Sequence, residues 1–398
     1  ALADPNLNNS AALLCRTLLQ EEKNMSHFHD SDPSRRHVLC AGGAAMFGYL
    51  VAGLLGGAKP TRAQVLSAPV PAVDRLAVGV VTDSYQLAIS PNVRFGQVDI
   101  QRFGLPPAGK SLLGEFGLSM HVESRRGDET RHMLIDFGFT PEALNNNLAM
   151  LRIVPEDIDV LVLSHGHYDH FGGLVGFLRA NRGKLRPDLP LYLGGEECFC
   201  TREWTLGTPQ DFGYLDRKAL ADARVKVVFA EAPAVLGGHA FTTGQIPVTT
   251  FEKVLSPTRM TVGIHDGVGC YPDKLSENKR TAAVIPDDFA HELATCFNVK
   301  GRGLVVLTSC SHRGVVNTVK RAVDISGIKK VHAVAGGFHL APHKEEYVRE
   351  TVAALKEINP DYIIPMHCTG EVFIDMVQRE MPDRFIRSYN GSRYSFGA

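Results

Sequence analysis

Val160-Leu161-Val162-Leu163-Ser164-His165-Gly166-His167-Tyr168-Asp169-His170-Phe171-Gly172-Gly173 is the stretch on which the fold turns. Its first four residues are a continuous β-branched and aliphatic run, the pattern of a strand buried on both faces. Four side chains able to hold a metal, His165, His167, Asp169 and His170, follow within six residues on a strand-to-helix turn. Imidazole and carboxylate are the donors that zinc and similar divalent ions prefer. Gly166 frees the backbone so that His165 and His167 can turn toward one ion, which leaves Asp169 and His170 facing a second.

Two later stretches repeat this strand-end geometry. The apolar run 303–307 delivers Cys310 and His312 to a turn, and 361–364 delivers His367 after Pro365. His312 is expected to complete the first set with His165 and His167, and His367 the second with Asp169 and His170. His339 follows another buried run and two glycines. Its expected role is catalytic, donating a proton or hydrogen bond to substrate, with direct ligation and a purely structural role as the alternatives. Asp136 ends a strand before Gly138; its ordinary reading is a helix N-cap, a task that Thr140 with Pro141 already suits. Cys310 and Cys368 stand beside His312 and His367, where a small buried thiol is the ordinary reading. Cys198 and Cys200 have a spacing that suits neither a zinc pair nor a disulfide. His121, His132, His239, His265, His291, His332 and His343 read as core or surface residues.

These blocks resemble the metallo-β-lactamase superfamily, whose signature is H-x-H-x-D-H after a core strand. The resemblance extends over roughly 76–398. It is nearest to the subgroup of dihydropterin ribofuranosyl-aminobenzene phosphate synthase-like proteins. It rests also on Thr308-Ser309-Cys310-Ser311-His312-Arg313-Gly314, Gly336-Gly337-Phe338-His339-Leu340, Pro365-Met366-His367-Cys368-Thr369-Gly370, Gly117-Leu118-Ser119 and Leu134-Ile135-Asp136-Phe137-Gly138. The resemblance implies an α/β fold, a four-layer αββα sandwich, with a two-metal site at one edge between the sheets. It implies a metallo-hydrolase with two divalent ions, zinc foremost and iron or manganese as alternatives. Asp169 then serves both as ligand and as proton acceptor, and His339 as its catalytic partner; Asp136 resembles the superfamily's first motif, which implies an acidic residue that orients a liganding histidine. The scissile bond is a lactam, lactone, thioester, ester or phosphoester. Two departures stand out: Phe116 occupies a place where the subgroup implies a histidine, and Val331 to Leu340 lacks the aspartate that bridges the ions in many relatives. Flavin-linked di-iron relatives carry a glutamate where His167 stands, which sets an iron oxidoreductase behind hydrolysis. A non-catalytic metal-scaffold binding protein is the third reading.

Composition agrees with an enzyme on a small molecule. The 398 residues are 44% hydrophobic, enough for a packed core, and the formal net charge of -1 argues against a nucleic-acid partner. Eight cysteines are too few and scattered for a disulfide scaffold. Oligomeric state stays open, a homo-oligomer included.

Arg35-Arg36 precede the Gly- and Ala-rich uncharged stretch 38–58, with Thr61-Arg62-Ala63 offering a cut ahead of Gln64. This is the layout of a twin-arginine export signal, with a retained membrane anchor as the alternative. The expected organisation is therefore 1–63 as N-terminal extension and signal, read with Met25 as a candidate start. The catalytic domain is 64–398, with no membrane span after cleavage and a periplasmic or secreted location. Within that domain the expected strands are 76–82, 118–124, 131–136, 159–164, 190–193, 225–230, 281–285, 303–308, 329–335, 361–364 and 384–388. Helices are expected at 141–150, 171–181, 314–325, 344–357 and 370–380, and 196–280 reads as an irregular insertion holding the sole tryptophan, Trp204.

Overall fold

Alternation of faces along the central strands builds the architecture. In Ile158–Val162, Val160 and Val162 enter one apolar core while Ile158 and Leu161 enter another. Gly303–Thr308 repeats the pattern, with Val305 and Leu307 on one face and Leu304 and Val306 on the other. Strands buried on both faces need a layer on each side. The structure, a computed structural model, describes residues 60–66, 69–87 and 89–397, all within the unit Gly57–Ala398. The arginine pair, the uncharged stretch and Met25 lie outside the described residues.

Two large sheets pack face to face. The first has ten strands, and at its middle Glu129–Ile135 lies parallel to Ile158–Val162 and antiparallel to Ser119–Arg126. The second has seven, with Thr295–Val299, Gly303–Thr308, Val331–Gly337 and Tyr362–Met366 in succession. Between them lies a core that includes Leu76, Val160, Phe297, Leu307 and Ile364. Helices Pro141–Met150, Leu174–Asn181 and Arg217–Asp222 cover the outer face of the first sheet, and Val315–Ser326, Glu345–Ile358 and Glu371–Glu380 that of the second. This is the four-layer αββα sandwich.

Several expectations need correction. The helix expected over 171–181 is two pieces, Tyr168–Phe171 and Leu174–Asn181. Gly172 and Gly173 sit so close to the chain before Pro141 that a Cβ would lie 2.1 Å from the Phe139 carbonyl oxygen and 2.2 Å from that of Phe137. The strand expected at 384–388 reduces to one bridge, Ile363 with Phe385, because the chain then leaves that sheet edge for Arg393–Gly397. That last strand went unforeseen, although it sits inside the first sheet, against Arg75–Thr82 on one side and Val98–Gln101 on the other.

The stretch 196–280 is more regular than expected. Lys226–Phe229 joins the first sheet, and Ala234–Leu236 and Ala240–Thr242 join the second. Thr201–Trp204, Gln210–Asp211, Thr258–Thr261 and Val284–Pro286 form a separate four-stranded sheet. A disulfide joins Cys200 to Cys270, a partner 70 residues away that the local Cys198/Cys200 spacing did not reveal. Residues Thr61–Arg62 pair in parallel with the Lys226–Phe229 strand. Among the described residues no helix is long and apolar enough to cross a membrane.

Candidate metal centre

The strand ends of both sheets meet at one edge, and each delivers a polar residue there. Asp136 follows Glu129–Ile135, His165 follows Ile158–Val162, His312 follows Gly303–Thr308, His339 follows Val331–Gly337 and His367 follows Tyr362–Met366. Asp136, His339 and His367 have φ values of 55°, 46° and 50°, so the chain turns sharply as it leaves each strand.

Asp136 organises the first turn. One carboxylate oxygen accepts from the Ser164 backbone N–H at 2.8 Å, and the other accepts from Ser164 Oγ and from His170 Nδ1, both at 2.7 Å. Its expected orienting role is what the structure shows. The Ser164 hydroxyl spends its proton on Asp136, so it accepts from His165 Nδ1 at 2.9 Å and leaves His165 Nε2 bare. His167 is set the other way round. Thr258 Oγ1 donates to Asp287, so it accepts from His167 Nε2 at 2.9 Å and leaves Nδ1 as the lone-pair nitrogen.

Two triads result. The rings of His165, His167 and His312 lie 4.9 Å apart in every pairing. In the second triad, Asp169 Oδ2 is 3.5 Å from His170 Nε2 and 3.2 Å from His367 Nε2, while Asp169 Oδ1 has no partner. Within each triad the candidate donor atoms lie within 4.8 Å of one another, and all six residues are buried. Both nitrogens of His312 and of His367 lack a hydrogen bond; the His367 approach to Asp169 is near but poorly aligned for one. Buried polar atoms left bare are costly, and a cation is the partner that this donor set fits.

Electrostatics separates the two triads. Burial, followed by neighbouring imidazoles, holds His165 and His312 well below the usual histidine range, and burial brings His167 down to about 3. All three are thus neutral, the form that ligates. Burial opposes charge at His170 too, yet Asp169 and Asp136 outweigh it and raise that ring to about 9. Asp169 stays ionised, because His170 and His367 overcome its burial.

His339 lies with its ring 4.0 Å from that of His312, and neither of its nitrogens has a partner. Its candidate donor atom groups with Cys310 and Cys368, not with the second triad. The two thiols stand 3.2 Å apart, and Cys310 Sγ is 3.2 Å from His170 Nε2. Phe116 is half exposed, its ring 5.6 Å from that of His367.

A buried network behind the first turn escaped the sequence reading. His291, taken as an ordinary core or surface residue, accepts at Nε2 from the Gly166 backbone N–H and from Arg202, and its Nδ1 faces Glu197. Arg202 donates through Nε to Asp287 at 2.6 Å, and Lys279 pairs with Glu197 at 2.8 Å. Burial disfavours the Asp287 charge, but Arg202 overcomes it and brings the carboxyl to about 2. Glu292 accepts from the backbone N–H groups of His312 and Arg313, fixing the second strand end. No local pattern marks these residues, because these partners are 20 to 125 positions away.

The metallo-beta-lactamase superfamily model matches residues 116–191, the segment from Phe116 through the first turn. A 7,8-dihydropterin-6-methyl-4-(beta-D-ribofuranosyl)-aminobenzene-5'-phosphate synthase of Methanocaldococcus jannaschii is 31% identical over 71% of this chain and 90% of its own length. The chain belongs to the metallo-beta-lactamase superfamily. Within this family of metal-dependent hydrolases, its similarity to that synthase supports the subgroup suggested by the later blocks. An uncharacterised protein of the same organism is 27% identical over 66% of this chain and 87% of its own. The crystal structure of Tm1679, a metal-dependent hydrolase of the beta-lactamase superfamily, shares the fold. It superposes with a TM-score of 0.58 at 21% identity, covering 80% of this chain and 98% of that one.

Proposed function

We propose that this chain is an exported hydrolase that holds two divalent cations, zinc foremost, and opens a lactam, lactone, ester or phosphoester bond in a small molecule. The observation that carries this reading is the pair of buried triads, His165/His167/His312 and Asp169/His170/His367, in which His165 Nε2, Asp169 Oδ1 and both nitrogens of His312 and His367 have no hydrogen-bond partner. When bound, divalent ions supply Lewis acidity and make water nucleophilic near neutral pH.

The protein groups around that position have separable tasks. Asp136 and Ser164 fix which nitrogen of His170 and His165 faces inward. Asp169 keeps Oδ1 free to accept a hydrogen bond from the attacking water. His339, with both nitrogens unpaired beside His312, is placed to donate to the charge that develops on substrate oxygen or on the leaving group. Phe116 offers the half-exposed apolar wall against which a substrate body would lie. The synthase relative's name includes a 5'-phosphate, which supports including phosphoesters in the substrate panel. The twin-arginine layout ahead of residue 64 supports export, which places the chain away from cytoplasmic pterin chemistry.

The test is a panel of lactones, esters and phosphodiesters with metal-loaded protein. Activity is expected in the parent and is abolished in His165→Ala and Asp169→Asn. In His339→Gln, kcat is expected to fall while metal content stays at the parent level. Stoichiometric iron with oxygen uptake, or a metal-loaded protein inert across the panel, would overturn hydrolysis.

A further inference from the structure

Each triad supplies three donors, the number that a water-activating cation of the zinc class takes from protein before water, and such a cation can expand to five-coordinate, which leaves room for one more protein donor. One further side chain reaches both. The donor atoms of Cys310, His165 and His170 lie within 4.8 Å of one another, so this group contains one member of each triad. Among the described residues it is the one group that mixes the two triads. Cys310 Sγ stands 3.2 Å from His170 Nε2, the nitrogen left facing inward once Asp136 has taken Nδ1.

The backbone is built to put it there. Ser311 has a φ of 59°, and its hydroxyl is tied to Thr308 Oγ1 at 2.7 Å and to the Gly337 carbonyl at 3.1 Å. The turn therefore sends Cys310 and His312, two residues apart, into the same buried space. A buried thiol that served only as a small apolar filler would have no reason to meet imidazoles from two triads.

We propose that Cys310 Sγ is a thiolate ligand shared by the two cation positions, adding one protein donor to each set beside the position left for water. This rests on the two-cation reading given above. A thiolate sulfur has lone pairs enough to contact two cations, and it is a soft donor suited to zinc or iron. On metal entry the S–H bond breaks, its proton passes to solvent and sulfur–metal bonds form, with no change of oxidation state. Cys368, 3.2 Å from Cys310, is placed to donate its S–H to that sulfur.

The experiment uses the full chain loaded with Co(II), a probe with visible and near-ultraviolet bands. Two cobalt ions per chain and a sulfur-to-cobalt charge-transfer band are expected in the parent and in Cys368→Ser. In Cys310→Ser the band should vanish, and at least one ion should bind about tenfold more weakly or worse. Cys310→Asp replaces the shared donor by a carboxylate, so it should keep two ions without the band, which separates ligation from a folding role. Two ions bound with no such band in the parent would overturn the shared thiolate and leave the two-cation reading intact. So would two ions in a parent whose Cys310 and Cys368 resist alkylation until reduced, since a disulfide between them is no thiolate. A parent that binds no cobalt, as His165→Ala would, overturns both.

Discussion

Asp136 shows how much one buried side chain can decide. Its two oxygens take three protons, from Ser164 N, Ser164 Oγ and His170 Nδ1, and through them set the inward nitrogen of two histidines. In Asp136→Asn the amide must present a donor to one of those donors. Metal affinity is expected to fall about 10- to 100-fold with the fold retained, measured by competition with a chromophoric chelator. His121, away from the centre, makes a pH prediction. Burial, then stacked His132 and Arg393, bring it down to about 3. Its folded value is lowered, so the stability it contributes is full above the unfolded value near 6.5 and is lost as pH falls toward 3, at up to about 1.4 kcal/mol per pH unit. Thermal melts should therefore fall less between pH 7 and pH 5 in His121→Gln than in the parent.

Among the elements, the turn after Ile158–Val162 depends on a separate sheet. Arg202, at the second position of Thr201–Trp204, lies under Gly166 so closely that a Cβ there would be 2.5 Å from its Nη1. The guanidinium is pinned by Asp287 and by the Glu197 and Cys200 carbonyls, and the disulfide from Cys200 to Cys270 ties the same segment down. Gly166→Ala must push one of these parts away. We expect turnover to fall at least tenfold, and by more than in the control Gly183→Ala at an exposed turn, where a Cβ meets nothing within 4 Å. Equal turnover in the two variants would show that Arg202 yields without moving His165. Arg202→Ala, which strands Asp287 as a buried unpaired charge, should cost about 3–5 kcal/mol in denaturant unfolding.

Taken as a whole, the molecule brings strand ends from two sheets to one edge, and the cost of doing so is a group of buried polar atoms that only a further partner satisfies. Metal should therefore stabilise the entire domain. With free ion a thousandfold above its dissociation constant the gain is about 4 kcal/mol, so chelation should lower the melting temperature and zinc should restore it. Calorimetry with and without chelator reads this directly, and an unchanged melt would count against the triads as metal sites.

The central strands and the six clustered residues were legible because local chemistry dictates them. A run such as 160–163 is apolar on both faces wherever it is placed, and histidines at a strand end two and five apart leave few other uses. Helix Pro141–Met150 announced itself through Thr140 and Pro141. What local sequence could not decide depended on distant partners. The break at Gly172 comes from the Phe139 carbonyl, the place of Arg393–Gly397 from strands about three hundred residues earlier, and the Cys200 pairing from a hairpin 70 residues on. Residue type and spacing by themselves marked the candidate donors and determined the layers, because hydrophobic burial and ligand chemistry act within a few residues. Tertiary structure alone decided that Arg202 and His291 support the turn and that Cys310 Sγ lies within 4.8 Å of a donor atom of each triad, because those arrangements arise only after the sheets have packed.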